Sequence, residues 1–138
     1  MKQHTNRITV RIYYEDTDCG NVVYYANYLK YMERGRTEYL RDLGCDLFEM
    51  QKQDTLFVVA EATVKYHRSA LYNDLLTVST TVVEMSSVTV IFHYDIVNQH
   101  NVLCVSGTIK AACVSCAGKI KRIPKDVYQK LHEGFGTM

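Results

Sequence analysis

The residues from Tyr13 to Arg36, YYEDTDCGNVVYYANYLKYMERGR, put three carboxylates, Glu15, Asp16 and Asp18, into four positions just before a helix-like run. No serine or histidine stands beside them. A helix start carries unsatisfied backbone N–H groups with partial positive charge, which can hold a developing oxyanion. A carboxylate next to such donors can activate water as a general base, or attack a carbonyl itself. Asp before a helix is also the common choice for an N-cap or a solvated turn. Catalysis is favoured here because the loop is dense in acids, apolar VVYY follows it, and no other nucleophile set is present. There is no G-x-S-x-G elbow, and His4, His67, His93, His100 and His132 form no H-E-x-x-H pair.

Those groups need a scaffold to position them. Residues 8–14, ITVRIYY, alternate with Ile8, Val10, Ile12 and Tyr14 on one side, the period of a half-buried strand. From about Tyr25 to Leu43 the period lengthens, with Tyr28, Met32, Gly35, Tyr39 and Leu43 forming a helical stripe. Gly35 in that stripe predicts a close backbone approach, and Gly44 a C-terminal cap. β-rich segments follow near 56–67, 75–84, 88–97 and 102–115, separated by polar turns short enough for the last three to form an antiparallel meander. Pro124 opens a final helix with Val127, Tyr128 and Leu131 as its apolar stripe. One long helix against a five-stranded antiparallel sheet is an α+β layer pair, expected to fill a single domain over 1–138. The sheet's uncovered face and edges predict a homo-oligomer, dimer or tetramer.

Composition narrows the class. A net charge of +1 favours no nucleic acid and no anionic membrane, and no apolar run is long enough for membrane insertion. The N-terminal MKQHTNRITV lacks a secretory apolar segment, so a cytoplasmic location is expected. Five scattered cysteines fit a reducing compartment; Cys113 and Cys116 are expected as buried thiols rather than metal ligands, and no metal is expected.

The run VRIYYEDTDCGNVVYYANYLKYMERGRTEYL, continued in register by VKYHRSALYND and KIKRIPKDV, closely resembles the hot-dog acyl-CoA thioesterases, in particular the Tol-Pal-associated and 4-hydroxybenzoyl-CoA thioesterase branch. The resemblance covers nearly the whole chain. It implies a long helix wrapped by an antiparallel sheet, dimers joined edge to edge, and active sites at the subunit interface. It also implies Asp18 as the catalytic carboxylate, as base or nucleophile, with Asp16 structural, and the Tyr25 backbone N–H as oxyanion donor. Tyr25 stands where the Tol-Pal-associated branch has His; Asn21 replaces a usual Gly, and Cys19 an Ala or Pro.

A thiolate leaves without a strong general acid, its conjugate acid having a pKa near 8.5 by analogy with cysteine. A carboxylate and amide donors therefore suffice. The implied substrate is a small-molecule acyl-CoA, with no cofactor beyond the substrate's own CoA moiety. CoA phosphates need cations. Lys65, His67 and Arg68 form one basic cluster and Lys119, Lys121 and Arg122 another, each read either as a phosphate contact or as a solvated face. Ser86 and Ser87 occupy a turn where related enzymes carry basic residues. Tyr14, Tyr24, Tyr28 and Tyr31 are candidates to close the acyl pocket. Rival readings are an acyl-carrier-protein thioesterase and a non-catalytic acyl-CoA or protein-binding module.

Overall fold

The computed structural model describes residues 3–135. Strand β1 (Asn6–Arg11) runs through a 3-10 turn at Tyr14–Asp16 towards helix α1 (Asn27–Asp42) and a short helix α2 (Leu47–Lys52). Strands β2 (Leu56–Tyr66), β3 (Leu75–Met85), β4 (Thr89–Val97) and β5 (Leu103–Val114) follow, and helix α3 (Lys125–Phe135) closes the chain. The strands form one antiparallel sheet in the order β1-β3-β4-β5-β2. This is the α+β hot-dog arrangement: β3, β4 and β5 are the expected meander, and β1 and β2 are its edges.

Periodicity decides what is buried. Along β4, Val90, Phe92, Tyr94 and Ile96 are buried while Ile91, His93, Asp95 and Val97 are half-exposed. The buried row meets Tyr28, Tyr31, Met32, Gly35, Tyr39 and Leu40 of α1 in one core. Gly35 sets the depth of that contact. A Cβ there would fall 2.5 Å from Thr80 Oγ1 and 3.3 Å from the Tyr94 ring, so the helix backbone lies directly on β3 and β4. At its other end α1 closes as a Schellman motif, with Gly44 at φ +83° and Cys45 N–H donating to Leu40 O at 2.8 Å.

Several expectations need correcting. Strand β1 ends at Arg11 rather than 14, and Tyr14 is 72% exposed rather than facing the core. Local hydrogen bonds override the alternation: Asp16 N–H donates to Tyr13 O, Thr17 N–H to Tyr14 O, and Tyr13 N–H to Asp16 Oδ2. Helix α1 starts at Asn27, because Tyr24 and Tyr25 belong to a tighter lead-in whose carbonyls accept from Asn27 and Tyr28 N–H. Helix α2 was missed, although Asp46-Leu47-Phe48-Glu49 has the acidic N-cap pattern and Asp46 Oδ1 accepts from Phe48 N–H at 2.8 Å. Cys113 is buried as expected, but Cys116 is exposed, since β5 has ended and its N–H is held by Asp54 Oδ1 in a surface turn.

Two outcomes follow from this packing. Gly35→Ala forces α1 off the sheet or displaces Thr80, so it should cost about 1–3 kcal/mol; a urea unfolding midpoint equal to wild type would contradict the close approach. Burial pushes the Tyr39 phenol up from 10.0 to about 12 and raises Tyr94 in the same direction. The stability held by the neutral phenol is complete below pH 10 and is lost as pH rises from 10 through 12. Urea midpoints should fall steeply across that window, and less steeply in Tyr39→Phe.

Candidate active site

The chain between β1 and α1 turns back on itself. Thr17 bridges Val23, Asp18 N–H donates to Val22 O at 3.0 Å, and Asn21 N–H to Asp18 O at 3.1 Å. Asn21 sits at φ +61°, a left-handed conformation that Asn tolerates in place of Gly. Asp18 is exposed at this tip; its Oδ1 accepts from Gly20 N–H at 2.9 Å, while Oδ2 makes no hydrogen bond among the described residues. Asp16 is structural. Its carboxylate holds Tyr13 N–H, and its carbonyl accepts from Tyr24 N–H at 3.0 Å and Asn27 Nδ2 at 2.9 Å.

Those bonds bring the segment round to the start of α1. Neither Tyr25 nor Ala26 N–H has a hydrogen-bond acceptor among the described residues, leaving two donors at the positive end of the helix. Tyr25, 60% exposed, borders a cleft of about 230 Å³ with Val23, Tyr28, Tyr66, His67 and Arg68. Asp18 does not line this cleft within one chain.

The cleft is walled by tyrosine rings in sequence. Tyr24 to Tyr25, Tyr25 to Tyr66, Tyr66 to Tyr28 and Tyr28 to Tyr31 have centroid separations of 4.8, 6.1, 5.8 and 6.1 Å. Tyr28 accepts Ala70 N–H on its hydroxyl at 3.1 Å, and Ala70 O accepts Val23 N–H at 2.8 Å, which ties the wall to the Asp18 loop. Burial raises the Tyr28 and Tyr31 phenols, and the Asp16 charge raises Tyr31 further. Of the tyrosines expected to close the acyl pocket, Tyr28 lines this cleft. Tyr14 instead packs edge-on against Tyr72, and Tyr31 lies behind Tyr28. Tyr66 was missed, although strand alternation in KYHR puts it on the face opposite Lys65.

The basic candidates separate. Val64 pairs with Gly107, which faces Met32 of α1, so Lys65 and its partner Ser106 point to the other face of the sheet. His67 Nε2 lies 2.8 Å from Ser106 Oγ, and Arg68 stays at the cleft. In the second cluster, Lys121 Nζ is held by Asp54 O at 3.0 Å and Thr55 Oγ1 at 3.1 Å, while Lys119 is exposed. Arg122 lines a cavity of about 500 Å³ with Ser87, Ile123, Pro124, Lys125 and Tyr128. Neither Arg122 nor Lys125 makes an ion pair among the described residues. Ser86 Oγ is engaged within its own turn by Val88 and Thr89 N–H. This cavity lies at the Cys113 end of β5 and the Tyr25 cleft near its Val105 end, eight residues or roughly 27 Å away.

With this geometry in place, the chain matches the model of the thioesterase-like superfamily over residues 12–131. The chain belongs to that superfamily. It is 40% identical to the acyl-CoA thioesterase YbgC of Haemophilus influenzae, covering 89% of this chain and 91% of that one. It is 36% identical to the acyl-CoA thioester hydrolase YbgC of Escherichia coli O6:H1, covering 88% and 91%. The crystal structure of the DHNA-CoA thioesterase of Staphylococcus aureus superposes with a TM-score of 0.88 at 25% identity, covering 95% and 93%. Among the described residues, no helix of this superfamily member is long and apolar enough to cross a membrane.

Proposed function

We propose that this protein hydrolyses acyl-CoA thioesters to a free acid and CoA, using Asp18 as the reacting carboxylate and the Tyr25 N–H as oxyanion donor. The observation that carries this reading is the amide at the start of α1, unpaired among the described residues, bordering a cleft whose wall is tied to the hairpin bearing Asp18 Oδ2, which makes no hydrogen bond among them either. The thioester carbonyl oxygen takes the amide. Water, deprotonated by Asp18, adds to the carbonyl carbon, the tetrahedral oxyanion collapses with loss of the CoA thiolate, and the proton on Asp18 passes to that sulfur. If Asp18 instead attacks directly, the CoA thiolate is expelled to leave a mixed anhydride, which water opens at either carbonyl to give the acid and the Asp18 carboxylate. Single-turnover hydrolysis in ¹⁸O-water labels the Asp18 carboxylate when water opens the anhydride at the Asp18 carbonyl, and never on the first route.

A second subunit completes the site in this proposal. Strand β2 is an edge of 11 residues with Val58, Val59 and Tyr66 exposed, a template for pairing with a copy of itself. Two β2 strands paired antiparallel set the Leu56 end of one beside the Tyr66 end of the other. That brings the partner subunit's Arg122 cavity, which adjoins the start of β2 through Lys121 and Thr55, towards the Tyr25 cleft. Arg68 at the cleft and Arg122 with Lys125 across the interface are then the cations for the CoA phosphates, with Lys65, His67 and Lys119 further out.

Asp18→Asn should lower kcat for acyl-CoA hydrolysis by about 10²–10⁴-fold with the fold retained; turnover near wild type would remove Asp18 from the mechanism. In light scattering the protein should run as a dimer or larger, and Val59→Lys, a charge placed on the β2 edge, should shift it towards monomer. A monomeric wild type would overturn the shared site.

A further inference from the structure

The peptide unit joining Tyr25 to Ala26 is bonded on one side only. Its N–H, on Ala26, has no acceptor among the described residues. Its carbonyl oxygen, on Tyr25, takes two donors, Tyr28 N–H at 3.3 Å and the Tyr66 hydroxyl at 3.5 Å. The C=O and N–H bonds of a trans peptide point in opposite directions, so donors on Tyr25 O set the aim of the Ala26 N–H. Among the described residues, Tyr66 is the one side chain that bonds this unit. The N-cap residue is Ala26 itself, with no polar side chain to offer, and Arg68 and Ser69 line the cleft without a hydrogen bond to it. Tyr66 stands on the sheet rather than on the loop. It ends β2 opposite Val105 of β5, the next N–H is fixed by Cys104 O at 2.8 Å, and its ring lies edge-on to Tyr25 at 6.1 Å and beside Tyr28 at 5.8 Å.

We infer, resting on the thioesterase reading above, that Tyr66 is a positioning residue: its hydroxyl, acting through Tyr25 O, aims the Ala26 N–H beside the Tyr25 N–H as a second oxyanion donor. Tyr24 O and Tyr25 O accept in turn from Asn27 and Tyr28 N–H at 2.9 and 3.3 Å, so both peptides are aligned with the helix and their N–H groups point out of its start together. A thioester carbonyl oxygen draws weakly on these donors, and the tetrahedral oxyanion draws on them with its charge. As that charge forms, the chain from Tyr66 O–H through the Tyr25–Ala26 peptide to the oxyanion polarises along its length, and each bond strengthens the next. At 3.5 Å the hydroxyl contact is long, and contacts of this kind tighten in the transition state. The Tyr66 hydroxyl therefore contributes more to the transition state than to the bound substrate, and its loss falls on kcat rather than on binding.

Tyr66→Phe removes the hydroxyl and keeps the ring. The substrate for the test is whichever of acetyl-, decanoyl- and benzoyl-CoA the wild type hydrolyses fastest. Its single-turnover rate should fall about tenfold, less than the roughly 10²–10³-fold that follows outright loss of an oxyanion donor. Calorimetric affinity for the matching thioether, ethyl-, decyl- or benzyl-CoA, which has no carbonyl oxygen, should stay close to wild type. In ¹⁵N–¹H spectra the Ala26 amide proton should move upfield, since its own peptide carbonyl has lost a donor. A single-turnover rate near wild type overturns the inference. So does a thioether affinity that falls as far as the rate, because Tyr66 then shapes the binding site instead of aiming a donor. An unmoved Ala26 amide overturns it without reference to activity. Hydrolysis of none of the three substrates by the wild type overturns the thioesterase reading and the oxyanion role with it; hydrolysis that Tyr66→Phe leaves intact overturns the inference only.

Discussion

Helix α1 can rest on the sheet only because position 35 has no side chain. With Thr80 Oγ1 2.5 Å and the Tyr94 ring 3.3 Å from where a Cβ would lie, the helix backbone packs directly against β3 and β4. That contact fixes the start of the helix, and so the direction of the Tyr25 and Ala26 amides. Thr80 accepts a cost for it: its hydroxyl is buried and makes no hydrogen bond among the described residues. The core around this point is aromatic, with Tyr39, Phe92 and Tyr94 in contact, so the seat of the helix is stiff. Two backbone donors, whose aim no side-chain rotamer can adjust, keep their direction only on a support of that kind.

The loop before α1 is ordered by the same economy of polar groups. Every carboxylate oxygen of Asp16 and Asp18 that bonds within the chain serves a turn, and the amides left over are those at the helix start. Ala70 is the joint between this loop and the sheet, since its N–H reaches Tyr28 and its carbonyl reaches Val23. The tyrosine wall, the acidic hairpin and the β2–β3 connection are therefore tied together. The Tyr25 amide and the Tyr28 ring share a single frame.

Much of the fold was legible because it follows from periodicity. The alternation of β4, the Gly35 stripe and the Gly44 cap each reflect one dominant local force, and each appears where the sequence puts it. The misreadings arose where short-range hydrogen bonding competed with that pattern. Tyr14 has the spacing of a strand residue, but the carboxylate two positions later captures the Tyr13 amide and turns the chain. Cys116 has the apolar neighbours of a buried thiol, yet Asp54, distant in sequence, holds its amide at the surface. The Asp18 and Tyr25 pair came from resemblance to a family, not from periodicity. The division of KYHR between two faces, with Lys65 on one side and Tyr66 on the other, could have been read from alternation alone. What no pattern contains is the reach of Lys121 to Asp54 and Thr55, a contact across 66 residues of chain or more.

Strand β2 has one further property. Its register with β5 slips between Val59 and Glu61, so the strand bends and its backbone groups fall into two offset runs instead of one straight comb. A strand that pairs along the whole of β2 must carry a matching offset at its own midpoint to stay in phase with both runs, as a second copy of β2 does. Open-ended stacking of chain upon chain, the route by which bare sheet edges grow into fibres, meets a break at Ala60 after a few residues. The kink thus makes β2 a poor template for an unkinked strand.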